Sequence, residues 1–131
     1  MGKRFVNAEY KHAELSKKII AAAYKVHKEL GQGFLEKVYK NALALELEEN
    51  SMECSIETPL QVEYRGKVVG EFYADIIVEN KVILEIKAVS DLVKAHEVQL
   101  VNYLKATDIK LGLLINFGKS VEVKRRVFGY S

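Results

Sequence analysis

Apolar residues recur at three- and four-residue spacing from Leu15 through Ile19, Ala22, Ala23 and Val26 to Leu30. That spacing predicts a helix from about Ala8 to Leu30 with one buried face. Gly31-Gln32-Gly33 ends it, as glycine does at a helix C-terminus. A second helix is predicted from Phe34 to Glu49, with Leu35, Val38, Tyr39, Ala42 and Leu43 as its apolar stripe. The period then changes to two. Pro59 is expected to open a strand in which Leu60, Val62 and Tyr64 alternate, and Arg65-Gly66-Lys67 is a turn. Strands follow at about Val68–Val78 and Val82–Ala88. Ser90 is a candidate N-cap for a third helix from Asp91 to about Lys105, with Val93, His96, Leu100, Tyr103 and Leu104 on its buried side. Ile109–Phe117 and Val121–Phe128 read as two further strands. Two helices, three strands, a helix and two strands predict a single α/β domain with a mixed sheet.

The hairpin from Tyr73 to Lys87 carries charges where a buried strand would want valine. Ile76, Ile77, Val78, Val82, Ile83, Leu84 and Ile86 make both of its faces largely apolar, which suggests burial on both sides. Asp75, Glu85 and Lys87 therefore need partners, because an isolated buried charge is very costly. Residues two apart share a strand face, so Glu85 and Lys87 point the same way. A turn centred on Asn80, with Glu79 to Lys81 as a three-residue loop, sets Asp75 opposite Glu85. Opposed residues have Cβ atoms roughly 4.5–5.5 Å apart, and two carboxylates at that distance repel unless a cation lies between them. A divalent metal held by both, with Lys87 beside it, satisfies the pattern. The bland alternative is a surface hairpin with its charges in water.

Composition narrows the function classes. The chain of 131 residues is 49% hydrophobic and 29% charged, ordinary for one globular domain. No run of 18 apolar residues is present, so no membrane span is expected. Met1-Gly2-Lys3-Arg4-Phe5 lacks an apolar signal core. The lone Cys54 cannot form an internal disulfide, which fits a cytoplasmic location, and it excludes a cysteine-based zinc cluster. Net charge is +2, unevenly spread: residues 35–80 hold four Lys/Arg against ten Asp/Glu, and residues 81–131 hold nine against five. A basic final third beside an acidic middle is compatible with a nucleic-acid surface beside a metal site, or with a solvated charged face. Lys119, Lys124, Arg125 and Arg126 either contact phosphate backbone or line a solvated strand edge. Gly31 and Gly33 are no phosphate loop, since no strand precedes them and no Gly-Lys-Ser/Thr follows.

Asp75, Glu85-Ile86-Lys87 and the helix after them resemble the PD-(D/E)xK nuclease superfamily, whose signature is an aspartate on one strand and (Asp/Glu)-x-Lys on the next. Gln99-Leu100-Val101-Asn102-Tyr103 resembles the Gln-x-x-x-Tyr of its recombination-exonuclease branch. Gly33-Phe34-Leu35-Glu36-Lys37-Val38-Tyr39 resembles the name motif of the small GxxExxY group. Leu113-Leu114-Ile115-Asn116-Phe117-Gly118 matches as well. The likeness covers about residues 10–128. The superfamily's proline is replaced by Ala74.

The resemblance implies a restriction-endonuclease-like fold, a mixed sheet flanked by helices, and metal-dependent hydrolysis of phosphodiester bonds, with DNA as the expected substrate. It implies Mg²⁺ or Mn²⁺ on Asp75, Glu85 and the Ile86 carbonyl, with Glu36 completing the acidic cluster. Lys87 would activate water and stabilise charge on the phosphate, and Gln99 would orient either. Tyr103 and His96 would touch nucleic acid or simply pack on their helix, and Tyr39 has the same two readings. So small a chain implies a homodimer or a partner protein. The competing function is a non-cleaving nucleic-acid-binding or accessory module of the same fold. An RNA-directed activity is a weaker third reading.

Overall fold

The computed structural model describes residues 12–129. The Met1–Phe5 segment and the predicted helical residues 8–11 lie outside them. The first helix, α1, runs Ala13–Leu30. Gly31, at φ 74°, closes it, with its N–H on the His27 carbonyl at 2.8 Å. The corner continues through Gly33 at φ 106°, a conformation open mainly to glycine. The second helix, α2, runs Glu36–Glu49, starting two residues later than its apolar pattern predicts. Leu35 and Val38 are exposed, contrary to their place in the predicted stripe. The buried positions are Tyr39, Leu43, Ala44 and Leu47, because α2 packs by the face set at Tyr39 and leaves its first turn at the rim.

Five strands follow: β1 Cys54–Tyr64, β2 Lys67–Val78, β3 Val82–Lys87, β4 Leu111–Phe117 and β5 Val121–Val127. They lie side by side in chain order. β3 and β4 are parallel and the other pairs antiparallel, which gives the mixed sheet. The parallel pair needs a crossover, supplied by α3, Lys94–Lys105. β1 begins five residues before Pro59 rather than at it. As the edge strand it tolerates a residue with no N–H. α3 begins at Lys94 rather than Asp91, and Ser90 does not cap it. The N-cap is Val93, whose N–H donates to His96 Nδ1 at 3.2 Å. Val93 is exposed, and of the predicted buried side only Leu100 and Leu104 are fully enclosed.

The sheet is covered on both faces. On one, Ile19, Ala23 and Val26 of α1 and Tyr39, Leu43 and Leu47 of α2 pack on Val78, Val82, Leu84, Leu113, Ile115 and Phe117. On the other, Leu100 and Leu104 of α3 pack on Ala74, Ile77, Ile83 and Leu114. Gly112 lets α3 lie close, since a Cβ there would come within 2.6 Å of the Leu100 side chain. Burying each large aliphatic side chain contributes about 1.5–3 kcal/mol. Among the described residues no helix is long and apolar enough to cross a membrane.

Candidate active site

The β2–β3 ladder pairs Ile76 with Leu84, Ile77 with Ile83 and Val78 with Val82. It is centred on Asn80, as the charge pattern requires. Glu79 and Asn80 both take left-handed φ, 55° and 54°, and Lys81 N–H closes the turn on the Val78 carbonyl at 2.9 Å. The ladder stops one position before Asp75 and Glu85. There the strands part, and Ile86 N–H donates to Asp75 Oδ2 at 2.7 Å instead of to the main chain of β2.

The other side of β2 is irregular at the same level. Glu57 would pair with Asp75, but the ladder skips them between Ile56–Ile76 and Thr58–Ala74. Glu57 sits at φ 51°, which costs roughly 1–2 kcal/mol for a residue with a Cβ. Across this bend alternation breaks: Ile76 and Val78 join the α1/α2 core, whereas Ala74 and Ile77 join the α3 core. The Glu57 carboxylate pairs with Lys40 Nζ of α2 at 2.6 Å. Asp75 thus stands at the corner of a bent hairpin, tied to β3 by its own carboxylate.

Glu85 is 6% exposed, and its Oε1 is buried with no hydrogen-bond partner. Burial first, then the charge of Asp75 and a hydrogen bond to it, push its carboxyl up to about 9, with Lys87 pulling the other way. Glu36, in the first turn of α2, has its carboxyl raised by desolvation; Lys87 opposes this, Asp75 adds to it, and Lys40 and His96 oppose. The Tyr103 phenol is raised by burial and by the charges of Glu85 and Asp75, with a Gln99 hydrogen bond opposing. Seven predicted residues therefore share one electrostatic neighbourhood: Glu36, Asp75, Glu85, Lys87, His96, Gln99 and Tyr103. Among the described residues Lys87 enters no ion pair within 4.0 Å, so it does not neutralise Asp75 or Glu85 by direct pairing. Nor, among them, do three His, Cys, Asp or Glu side chains form a ready metal cage. Two carboxylates and the main chain are the available donors. The unpartnered Glu85 Oε1 fits a hard divalent cation, which takes oxygen ligands and keeps several waters.

The basic residues do not form one stripe. Lys119 lies in the β4–β5 turn, lining a cleft with the α1–α2 corner. Lys124 and Arg126 pair across from Leu114 and Gly112, and Arg125 pairs across from Leu113, so alternation puts Arg125 on the opposite sheet face. Arg126 is held by Glu97 of α3 and by the Arg125 carbonyl at 2.7 Å. Lys124 lies 3.8 Å from Glu122. Of the four, Lys119 lies in the turn beyond Asn116 at the site end of the sheet, and Lys124 stands in the Glu85–Leu114–Lys124 row on the face of Glu85.

Tyr39 is fully buried, donates to the Gly31 carbonyl at 2.5 Å and accepts from Phe34 N–H at 3.3 Å. It fixes the corner that precedes Glu36 and takes no part in the cluster itself. Asn116 is the residue the sequence reading passed over. Facing Lys87 across the parallel ladder, it accepts from Val89 N–H at 2.9 Å and donates to the Val89 carbonyl at 2.8 Å. It thereby holds the segment that leaves the site toward α3. A lone polar residue in the apolar run Leu111–Phe117 was its signal, the same one that singled out Asp75.

A family model of the PD-(D/E)XK nuclease superfamily matches residues 13–127. No curated protein matches the chain. Among solved structures, SSO0001 aligns with a TM-score of 0.56 at 22% identity, over 70% of this chain and 50% of that one. The chain thus spans half the length of that structure, and the likeness is one of fold. The bent hairpin, the Asp75–Glu85–Lys87 cluster at the ends of the strands and the match over residues 13–127 agree: the chain belongs to the PD-(D/E)XK nuclease superfamily.

Proposed function

We propose that this protein is a metal-dependent nuclease that hydrolyses phosphodiester bonds in DNA, a member of the GxxExxY group acting as a homodimer or with a partner protein. The observation that carries the reading is Glu85, buried beside Asp75 with one carboxylate oxygen unpartnered. Two ionised carboxylates there repel, so without a cation Glu85 keeps its proton, and a cation can take that proton's place. Asp75, Glu85 and the Ile86 carbonyl would hold Mg²⁺ or Mn²⁺, and Glu36 would complete the acidic rim. The ion would supply charge neutralisation at the phosphate and a more acidic water. Lys87 would hold the attacking water by hydrogen bonding and face the negative charge that develops on the phosphate oxygens. Gln99 would fix the orientation of that water or of a phosphate oxygen, and His96 and Tyr103 would contact the substrate backbone.

The test is calorimetric titration of Mn²⁺ and Mg²⁺ into wild type and Asp75→Ala, with cleavage of plasmid and branched DNA on the same samples. Saturable binding and cutting, both lost in Asp75→Ala, is the expected result. Absence of binding at millimolar metal, even with DNA present, would sink the catalytic reading and put the non-cleaving module in its place.

A further inference from the structure

Two clefts adjoin the acidic cluster through neighbouring residues, one through Leu35 and Ala88 and the other through Tyr103, and each includes aromatic side chains. The first, of about 540 Å³, lies between the α1–α2 corner and the segment after β3, and includes Phe34, Leu35, Val89, Ser90 and Lys119. It shares both walls with the site: Glu36 follows Leu35, and Ala88 follows Lys87. Phe34 is 48% exposed. Its ring meets Tyr39 edge-on at 6.2 Å, Tyr39 stacks on Phe117 at 4.7 Å, and Phe117 lies parallel to His27 at 6.3 Å. Phe34 is thus the open end of an aromatic column rooted in the core. The far wall is rigid: Asn116 clamps Val89, and Gly118 lies so close that a Cβ would come within 2.8 Å of the Val89 carbonyl.

The second cleft, of about 790 Å³, lies between the β1–β2 hairpin and α3. In it Tyr103 stacks on Phe72 with centroids 3.9 Å apart. Gln61, Glu63, Asn102 and Lys105 surround that pair. The opposed charges of Glu63 and Lys105 leave little net attraction for phosphate there, so the aromatic pair is the main binding feature.

Resting on the nuclease reading above, we infer that the substrate is a single unpaired DNA strand, which crosses the acidic cluster with one base stacked on Phe34 and another against the Tyr103–Phe72 pair. In a duplex both faces of each base are already covered by neighbours, so the exposed Phe34 ring and the outer side of the half-buried Tyr103–Phe72 pair have nothing to bind. An unpaired strand offers its faces freely, and stacking contributes about 1–3 kcal/mol per base regardless of sequence. Duplex binding instead draws on a stripe of cations, and here Lys124 and Arg126 face carboxylates of their own chain. Lys119 alone of the β4–β5 cations lines the cleft, placed for one phosphate beside the stacked base.

The experiment is fluorescence anisotropy on Asp75→Asn protein, so that cleavage does not interfere, with fluorescein-labelled oligothymidylate and its duplex with oligoadenylate as probes. The single strand should bind at least about tenfold more tightly than the duplex. Phe34→Ala should weaken single-strand binding about 5- to 30-fold at unchanged Tm, and Phe34→Trp should keep or tighten it. If the alanine variant does not fold, Phe34→Leu, which keeps apolar volume and removes the ring, should weaken binding where Phe34→Trp does not. Equal or tighter duplex binding, or an alanine or leucine variant that binds like its parent, overturns the inference. Wild-type cleavage of duplex alone would do the same and leave the nuclease reading standing. Single-strand binding with no cleavage by metal-loaded wild type would remove the nuclease reading and keep the binding mode.

Discussion

Glu85 and Asn116 are polar residues at the ends of neighbouring parallel strands, both nearly sealed from water at 6% and 2% exposure. They differ in what surrounds them. Asn116 spends both ends of its amide on the main chain of Val89, whereas Glu85 keeps one oxygen without a partner and faces a second carboxylate. Buried polar groups in folded proteins are nearly always satisfied. A satisfied one holds structure together, and an unsatisfied one marks a place where something else belongs. The comparison separates scaffold from chemistry within one pair of strands.

The strongest test removes the unsatisfied member. Glu85→Gln should lower cleavage about a hundred- to a thousandfold, the scale on which a lost charge-stabilising group acts, as read by single-turnover kinetics. The same variant should be more stable than wild type without metal at pH 8. The folded carboxyl stays protonated up to about 9 against an ordinary 4.5, so wild-type stability falls as pH rises between those values, and the gap between the two proteins should close below that window. Removing the satisfied member should act the other way round. Asn116→Leu should cost about 3 kcal/mol by urea unfolding, because it leaves the Val89 N–H and carbonyl unpaired, while metal still binds. Next in size, metal affinity at Glu85 should rise by up to about tenfold per pH unit between pH 6 and 8, because binding must displace its proton. Calorimetry in two buffers of different ionisation enthalpy would register the released proton. Smallest, Tyr39→Phe should cost about 1–2 kcal/mol by freeing the Gly31 carbonyl and the Phe34 N–H, with Tm as the readout.

What the sequence disclosed followed from local geometry. The hairpin centred on Asn80, the three-residue loop and the adjacency of Asp75 and Glu85 depend only on strand alternation across a short turn, so they could be counted out. Element order was legible for the same reason. Features set by distant packing were not. Leu35 and Val38 fit a helical stripe, yet α2 is rotated by the burial of Tyr39 against Phe117. The start of β1 hid among Ser55, Glu57 and Thr58, polar residues that an edge strand accepts. Ser90 resembled a cap, but Asn116 draws the chain across the end of the sheet and delays α3 to Lys94. The split of Arg125 from Lys124 and Arg126 follows from simple alternation and was within reach. Asn116 itself showed the right signal and lacked only a partner in view.

The bend at Glu57 also bears on solubility. β1 is the outer strand of the sheet, and such a strand is a template on which other chains can add themselves into aggregates. Here the left-handed Glu57 breaks the straight run, and two positions later Pro59, the only proline in the chain, removes a donor. The free margin is cut into pieces too short to recruit a foreign strand easily. A residue whose place in the sequence suggests the start of a strand serves, in the folded molecule, to keep that strand from growing outward.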